Sequence, residues 1–474
     1  ARATMVRTGE DGEVPRVTFD LSPVYGNSLE QANRTFSKLS GHTLQVSDRL
    51  VFSENTRTLT WQLITRADVE AEEGRIILRQ EGESLQVSVR PSPAEVDVVS
   101  LSPPPLVCEK EIPGLKRLEL KFERISFPGP SGEIGVELSA VPRERPNFVW
   151  IVSEDNSKHY MKLFDPRGIR TPCIEEMARE GILFTRAFSN APVCSVARST
   201  LISSCYGPRT GAQFHRKSLM VPMPEGIDMF PTYLRRAGYY TTNNHKEDYN
   251  YQKNEGVWDE SSVSAHWENR GPGQPFFHME SHPVSHESRL HFERQLMERY
   301  RPVTDPDSVF VFPVHPDTDL FRFTGAYYRD KILTVDTIVG GVLGQLKKEG
   351  LLESTFVFYF SDHGGVLPGS KGYLYETGLH VPLVVRIPER FKHLVEQEKG
   401  SRCSGFVSFV DFGPTLLQLA GAQIPEGIDG KPFLGRGITP EETEEGSFGY
   451  ADRFDEKYDL VRSLRKGKFK YIRN

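Results

Sequence analysis

Two stretches of this 474-residue sequence close apolar runs with oxygen and imidazole donors. Phe148-Val149-Trp150-Ile151-Val152 leads into Ser153-Glu154-Asp155-Asn156, and Thr355-Phe356-Val357-Phe358-Tyr359-Phe360 leads into Ser361-Asp362-His363-Gly364-Gly365. At the ends of neighbouring strands, the carboxylates of Glu154, Asp155 and Asp362 would repel one another unless a cation lay between them. Hard oxygen donors favour calcium or magnesium over zinc. Each stretch alone has a plainer reading: Glu154 and Asp155 would cap a following helix, and Asp362 would open a turn. Cys194, taken by itself, reads as a small apolar filler, as do Cys173, Cys205 and Cys403.

Such residues need a scaffold. Consecutive apolar positions are expected where a strand is covered on both faces in a parallel sheet. Pro382-Leu383-Val384-Val385-Arg386-Ile387 is a third such run. A helix is expected to open at Thr171-Pro172, with Thr171 as N-cap and Pro172 at the first helical position. It carries Ile174, Met177 and Ala178 on one side and stops at Gly181. A second helix is expected from about Tyr328 to Lys348, before the run at Thr355. Strands alternating with helices give an α/β domain on a mainly parallel sheet, with its site beyond the carboxyl ends of the strands. Residues 1 to about 140 instead alternate with period two, in the sets Val17/Phe19/Leu21, Leu59/Trp61/Leu63, Leu85/Val87/Val89 and Leu118/Leu120/Phe122. Turn residues such as Gly26-Asn27 and Pro91-Ser92-Pro93 separate them, the pattern of an antiparallel β-sandwich. Val141-Pro142-Arg143-Glu144-Arg145-Pro146 reads as a linker, so domains are expected at 1–141 and 145–474.

A hydrophobic fraction of 38% suits a globular chain, and a net charge of −6 with mixed signs lacks the basic footprint of a nucleic-acid binder. An anionic substrate would have to be held by local cations. Five cysteines, an odd number without any CxxC pair, exclude a disulfide framework and a cysteine zinc site. No apolar run is long enough to span a membrane. The opening Ala-Arg-Ala-Thr-Met has no signal-peptide pattern, and Phe469-Lys470-Tyr471-Ile472-Arg473-Asn474 reads as the start of a strand, so an interior fragment, cut short at its C-terminal end, is expected.

Pro192-Val193-Cys194-Ser195-Val196-Ala197-Arg198-Ser199-Thr200-Leu201 resembles the signature of the formylglycine-dependent sulfatases, within the alkaline-phosphatase-like superfamily. Other segments resemble that family in the same order. They are Arg145–Val152, Ala237-Gly238-Tyr239 with Lys246, Pro275-Phe276-Phe277 with His286, Ser361–Gly364, Lys371–Glu376, Asp411–Leu417 and Glu426–Gly430. The resemblance spans residues 145–474. It implies an alkaline-phosphatase-like sheet sandwiched by helices. It also implies one divalent cation, calcium by first expectation and magnesium second, held by Glu154, Asp155, Asp362, His363 and Cys194. Cys194 would be converted to formylglycine by a formylglycine-generating enzyme. Its aldehyde hydrate offers one hydroxyl to accept the sulfate and another to expel it, and the metal lowers the pKa of the attacking hydroxyl. Arg198 would steady the hydrate, Lys246 and Lys371 would neutralise the sulfate oxygens, and His286 would protonate the leaving alcohol. Glu154 stands where the family usually has Asp, Val196 where it has Pro or Ala, and Ser204 where it has Gly. Asp248 stands in the place of a second histidine, so Asp248 or His245 is expected to assist sulfate release. His278 and His282 are expected to be supporting residues.

Thr18–Gly26 and Thr58–Thr65, with Val46 and Asp48, resemble the C-terminal β-sandwich of heparinase II/III-type lyases. A generic sandwich, acting as scaffold or glycan-binding module, is the alternative. The pairing implies hydrolysis of a sulfate ester or N-sulfate on a sulfated, uronate-containing polysaccharide or glycosaminoglycan-derived sugar, and the family a periplasmic or secreted bacterial location. The competing functions are a phosphatase or phosphodiesterase of the same superfamily, and a catalytically silent glycan-binding protein.

Overall fold

The computed structural model describes residues 4–8, 15–40, 43–72, 75–80, 83–102, 112–141, 144–216, 219–252, 255–438, 446–454 and 457–474. Cys108, with Pro142 and Arg143 of the expected linker, lies outside the described residues. The chain divides into two units, Ala1–Glu144 and Arg145–Asn474.

In the first unit the period-two runs are strands. Thr58–Thr65 pairs antiparallel with Lys116–Glu123, so that Leu59, Trp61 and Leu63 face Phe122, Leu120 and Leu118. Glu95–Ser100 completes this three-stranded sheet. An eight-stranded sheet, antiparallel throughout, contains Leu29–Ser40, Thr43–Phe52, Glu83–Arg90 and Ser131–Ala140. Ala32, Val46, Val87 and Val136 of that sheet share one core with Trp61, Leu118, Leu120 and Phe122. Two sheets packed face to face need one apolar residue in two, which is the periodicity in the sequence. The first run departs from it: the strand ends at Asp20, and Leu21 caps a four-residue helical turn, Ser22–Tyr25.

The second unit is built on a nine-stranded sheet. Its longer strands are β1 (Asn147–Ser153), β2 (Gly181–Phe188), β3 (Tyr240–Asn244), β4 (Phe276–His282), β5 (Thr355–Ser361), β6 (Leu383–Arg386) and β7 (Ser401–Ser408). Glu260–Ser261 and His380–Val381 are short additions. β3, β4, β1 and β5 lie side by side in parallel. β6 runs antiparallel to both β5 and β2, and β7 lies parallel to β2. The run at Pro382 is thus a shorter strand than expected, and a reversed one.

All seven residues of β1 are buried, because helices cover both faces. Phe148, Trp150 and Val152 pack with α2 (Cys194–Ser203) and α4 (Phe412–Ala420); Val149 and Ile151 pack with α1 (Pro172–Arg179) and α3 (Asp319–Lys348). Trp150 sits edge-on to Phe277, Phe360 and Phe412, with ring centroids 5.1, 5.3 and 5.7 Å away. Burying about 200 Å² of indole stabilises the layer by roughly 5 kcal/mol. α3 begins nine residues before the expected Tyr328, with Thr318 as its cap. Its first two residues, Asp319 and Leu320, are exposed, and burial begins at Phe323. The Thr171 hydroxyl does not cap α1. Asp336 of α3 does so, accepting hydrogen bonds from Cys173 N at 3.2 Å and Ile174 N at 2.9 Å. Among the described residues, no helix is long and apolar enough to cross a membrane.

Candidate active site

β1 and β5 end in register, Ser153 opposite Ser361. Asp362 N and Ser361 Oγ both donate to Ser153 O, at 3.1 and 3.0 Å, so the two acidic segments leave the sheet together. Asp155 then turns with φ 55°, donates its N–H to Asp362 Oδ1 at 3.1 Å, and is pinned by the Tyr328 hydroxyl, which donates to its carbonyl. No α-helix starts at Glu154 or Asp155; a single 3-10 turn, Lys158–Tyr160, follows, which removes the capping reading. Gly364 N donates to Gly378 O at 2.9 Å and Gly365 N to Thr377 O at 2.8 Å. A Cβ on Gly364 would lie 2.1 Å from Thr377 O, so this close approach requires glycine. It ties the strand end to the segment that follows Lys371.

Cys194 is the first residue of α2, and every residue of that helix is buried. Its hydroxyls are satisfied by the preceding turn: Ser199 Oγ donates to Ser195 O at 2.6 Å, Thr200 Oγ1 to Val196 O at 3.0 Å, and Ser203 Oγ to Ser199 O at 2.7 Å. Val196 packs with Ala191, Val193 and Tyr450. Ser204 ends the helix with φ 56°, a conformation that suits glycine.

Cys194 Sγ lies 3.3 Å from His363 Nε2 and 4.0 Å from Asp155 Oδ1. His363 Nε2 is 2.8 Å from Asp155 Oδ1. One donor atom from each of Asp155, Cys194, Asp362 and His363 lies within 4.8 Å of the others, and all four residues are buried. Two buried carboxylates, an imidazole and the Cys194 position converging on one point fit a divalent cation. Glu154 stands apart from this set. Its Oε1 lies 2.9 Å from Lys246 Nζ and 3.4 Å from Arg198 Nη2.

Arg198, fully buried one turn beyond Cys194, gives Nε to Asp362 Oδ2 at 3.2 Å and Nη1 to Ser281 Oγ at 3.0 Å and Lys246 O at 3.4 Å. Lys371 Nζ lies 2.9 Å from Asp155 Oδ2 and 3.4 Å from His286 Nε2. Ser288 N donates to His286 Nδ1 at 3.2 Å, and Nε2, 3.4 Å from Lys371 Nζ, is the nitrogen turned into the site. Asp248 does not join them: its carboxylate holds Arg216 at 3.1 and 3.3 Å. His245 is exposed. His278 is held by Thr242 Oγ1 at 2.7 Å, and His282 by Glu280 at 2.9 Å.

Burial resists charging throughout this cluster, and opposite charges decide the outcome. Burial raises the Asp155 pKa, but His363 and Lys371 more than offset this and hold it well below the usual carboxylate range. Burial likewise opposes a charge on Lys371, and Asp155 reverses this, raising its pKa. For Cys194, burial and Asp362 push the thiol up, while His363 and His286 bring it below its ordinary value. Sequence reasoning missed Ser281 at the end of β4, and Glu287, whose N–H donates to Asp155 Oδ2 at 2.8 Å and whose carboxylate lies 3.5 Å from Lys371. Inspection of every strand end would have found Ser281; Glu287 carries no signal beyond its place after His286.

Residues 146–422, more than half of the chain, match the family model described as Sulfatase. An ulvan-active sulfatase from Formosa agariphila is 34% identical over 387 residues, which cover 72% of this chain and 63% of that protein. The chain therefore spans less than two thirds of that relative's length. Among solved structures, a protein in complex with its substrate D-glucosamine-2-N,6-O-disulfate superposes with a TM-score of 0.52 at 19% identity, covering 69% of this chain and 88% of that one. The phosphonate monoester hydrolase from Silicibacter pomeroyi gives 0.52 at 18% identity, covering 69% and 87%. At these identities the likeness is one of fold.

Proposed function

The chain belongs to the sulfatase family, and on that premise we propose that it hydrolyses sulfate esters, or N-sulfates, on a sulfated polysaccharide or glycosaminoglycan-derived sugar. The observation that carries this reading is the position of Cys194, 3.3 Å from His363 Nε2 in a buried donor set and ringed by Arg198, Lys246, Lys371 and His286. Cys194 acts as formylglycine, made by a separate formylglycine-generating enzyme. Asp155, Asp362, His363 and the converted Cys194 hold one divalent cation, calcium by the hardness of the carboxylates, and Glu154 supports them through Arg198 and Lys246. When bound, that cation supplies positive charge against the sulfate oxygens and acidifies the nucleophile.

The protein's own groups do the rest. A hydroxyl of the aldehyde hydrate attacks sulfur, opposite the departing oxygen. His286 supplies a proton to that oxygen, and its Nε2 is the nitrogen turned into the site. Lys246 and Lys371, each on a carboxylate, offer fixed positive charge to the sulfate. The attacking hydroxyl gives up its proton to water; the second hydroxyl then does the same and expels sulfate, restoring the aldehyde, which a further water molecule hydrates again. Asp248 is paired with Arg216. We read the first unit as the heparinase II/III-type sandwich, supported by its two antiparallel sheets, and residues 145–474 as the catalytic domain. A polymer substrate fits secretion or periplasmic placement.

The test has two parts: the mass of the Cys194 peptide after co-expression with a formylglycine-generating enzyme, and release from matched sulfate and phosphate esters. Loss of about 18 mass units at a thiol-to-aldehyde conversion, with faster sulfate than phosphate release, is expected. Faster phosphate release would move the chain to a phosphatase. Tight sulfated-glycan binding without any release by converted protein would make it a binding protein.

A further inference from the structure

Four non-glycine residues among those described have a left-handed φ: Asp155, Ser204, Arg216 and Asp248. Asp155 belongs to the proposed metal set and Ser204 ends α2. The other two, 32 residues apart in sequence, hold each other. Arg216 Nε and Nη2 donate to the two Asp248 carboxylate oxygens at 3.3 and 3.1 Å. A left-handed backbone is unfavourable at each such residue. It persists where neighbouring structure imposes it, which is characteristic of functional sites. An ion pair whose arginine is exposed contributes little and does not offset that cost.

The structure that imposes these conformations is the site itself. Ser195, next to Cys194, accepts a hydrogen bond from Arg216 N at 3.1 Å, and its hydroxyl lies 2.9 Å from His215 Nδ1. The other half of the pair follows Lys246 by two residues, and Asn250 N donates to Ser199 Oγ of α2 at 2.8 Å. Both segments are therefore clamped to the helix that carries the nucleophile. Asp248 is largely buried, with 17% of its side chain exposed, whereas Arg216 has 58% exposed. The carboxylate takes the Nε–Nη2 edge of the guanidinium, and Nη1 has no hydrogen-bond partner among the described residues. A carboxylate that fixes one edge of an arginine presents the other in a set direction, the geometry used to grip a planar or tetrahedral anion.

We propose that Arg216, aimed by Asp248, is a specificity-determining residue that binds a second anionic group of the sugar, a uronate carboxylate or a further sulfate, beside the sulfate undergoing hydrolysis. This rests on the sulfatase reading and deepens it. It also accounts for an aspartate at position 248: a histidine there would leave Arg216 without its fixing partner.

The experiment uses the full chain and three probes: a monosulfated disaccharide containing a uronate, its uronate methyl ester, and a disulfated disaccharide. Turnover is measured on converted protein, and affinity by calorimetry on unconverted protein. Arg216→Gln is expected to lower the ratio of kcat/KM for an anionic probe to that for the methyl ester by about tenfold, the scale of one charge-assisted hydrogen bond, mainly through KM. Arg216→Lys restores part of it. Loss on the free acid alone assigns a carboxylate, and loss on the disulfated probe alone assigns a sulfate. Equal losses on all three probes, or none, overturn the inference. If Arg216→Gln does not fold, Asp248→Asn takes its place, and the same ratio must fall. A wild-type protein that releases no sulfate overturns the sulfatase reading; Arg216 is then judged by affinity, where a tenfold selective weakening supports the inference and unchanged affinities overturn it.

Discussion

Replacing Arg198 by methionine isolates one claim, that the site is held together by compensated charge. Arg198 is fully buried and has no water to fall back on. Methionine is similar in length and fills irregular space well, so little packing is lost. What disappears is the guanidinium. Asp362 loses the Nε contact at 3.2 Å and Ser281 loses its donor at 3.0 Å. Glu154 is less affected, because Lys246 remains 2.9 Å away. Removing one partner from a buried charge pair typically destabilises by about 3–5 kcal/mol, and the upper half of that range is expected with a second carboxylate partly stranded. The assay is urea unfolding of the full chain followed by tryptophan fluorescence, with chelator and then with calcium. Three of the four tryptophans, Trp150, Trp258 and Trp267, lie in the second unit and report its loss. A second outcome separates charge from packing. A bound cation replaces the missing positive charge beside Asp362, so calcium should stabilise the variant by more than it stabilises the wild type. A loss below about 1 kcal/mol, the scale of an exposed pair, or an equal calcium increment in both proteins would refute the argument.

Other outcomes follow from single features. Calcium at a hundredfold excess over its Kd should raise the stability of the second unit by about 2.7 kcal/mol, and Asp155→Asn with Asp362→Asn should abolish that increment in the same unfolding assay. Ser204→Gly relieves the left-handed backbone at the end of α2, and its urea midpoint should correspond to a gain of about 1 kcal/mol; an unchanged or lower midpoint would show that the serine carries no strain. Glu280 is largely covered, which opposes its charge, yet the His278 and His282 rings beside it bring its pKa down from 4.5 to about 2. Because the folded value is the lower one, the stabilisation is complete above pH about 4.5 and fades as pH falls toward 2. Wild type should therefore lose about 3 kcal/mol more than Glu280→Gln over that window, and parallel pH profiles would exclude the effect.

The parts that the sequence made legible are those where one residue type has one physical use. Seven consecutive buried positions in β1 need an unbroken apolar run, and Asp155 and Asp362 meet because β1 and β5 end in register. The sandwich was readable because each strand has one covered face, as Leu59, Trp61 and Leu63 opposite Phe122, Leu120 and Leu118 illustrate. What escaped depends on distant partners. The cap of α1 comes from Asp336, more than 160 residues away, so a local rule assigned it to Thr171. The reversal of β6 leaves no local mark, since a strand buried on both faces reads the same in either direction. Arg216 has no local signal, because its partner Asp248 is 32 residues away in sequence.

The charge arrangement bears on how a chain with net charge −6 would draw in the sulfate of the proposed reaction. Glu154, Asp155 and Asp362 face Arg198, Lys246 and Lys371, three carboxylates against three cations. His363, held between Asp155 and Asp362, favours its protonated form, so these side chains sum to a single positive charge. A divalent cation among Asp155, Asp362 and His363 would take the place of the His363 proton and make the same pocket positive by two charges, with the pairs of Arg198 and Lys246 left in place. Glu154, one methylene longer than aspartate, reaches Lys246 and Arg198 and keeps that lysine fixed at the pocket, its ammonium still able to turn part of its hydrogen-bonding capacity to a ligand. Sulfate and calcium should therefore bind cooperatively. Linkage makes the effect reciprocal: whatever factor calcium adds to sulfate affinity, sulfate must add to calcium affinity. A factor of about 5–150 is the usual range for such coupling. Calorimetric titration of inorganic sulfate into chelated and calcium-saturated protein measures it directly. Equal sulfate affinity in both would mean that Lys246 and Lys371 hold the anion unaided, and that the three carboxylates do not silence them.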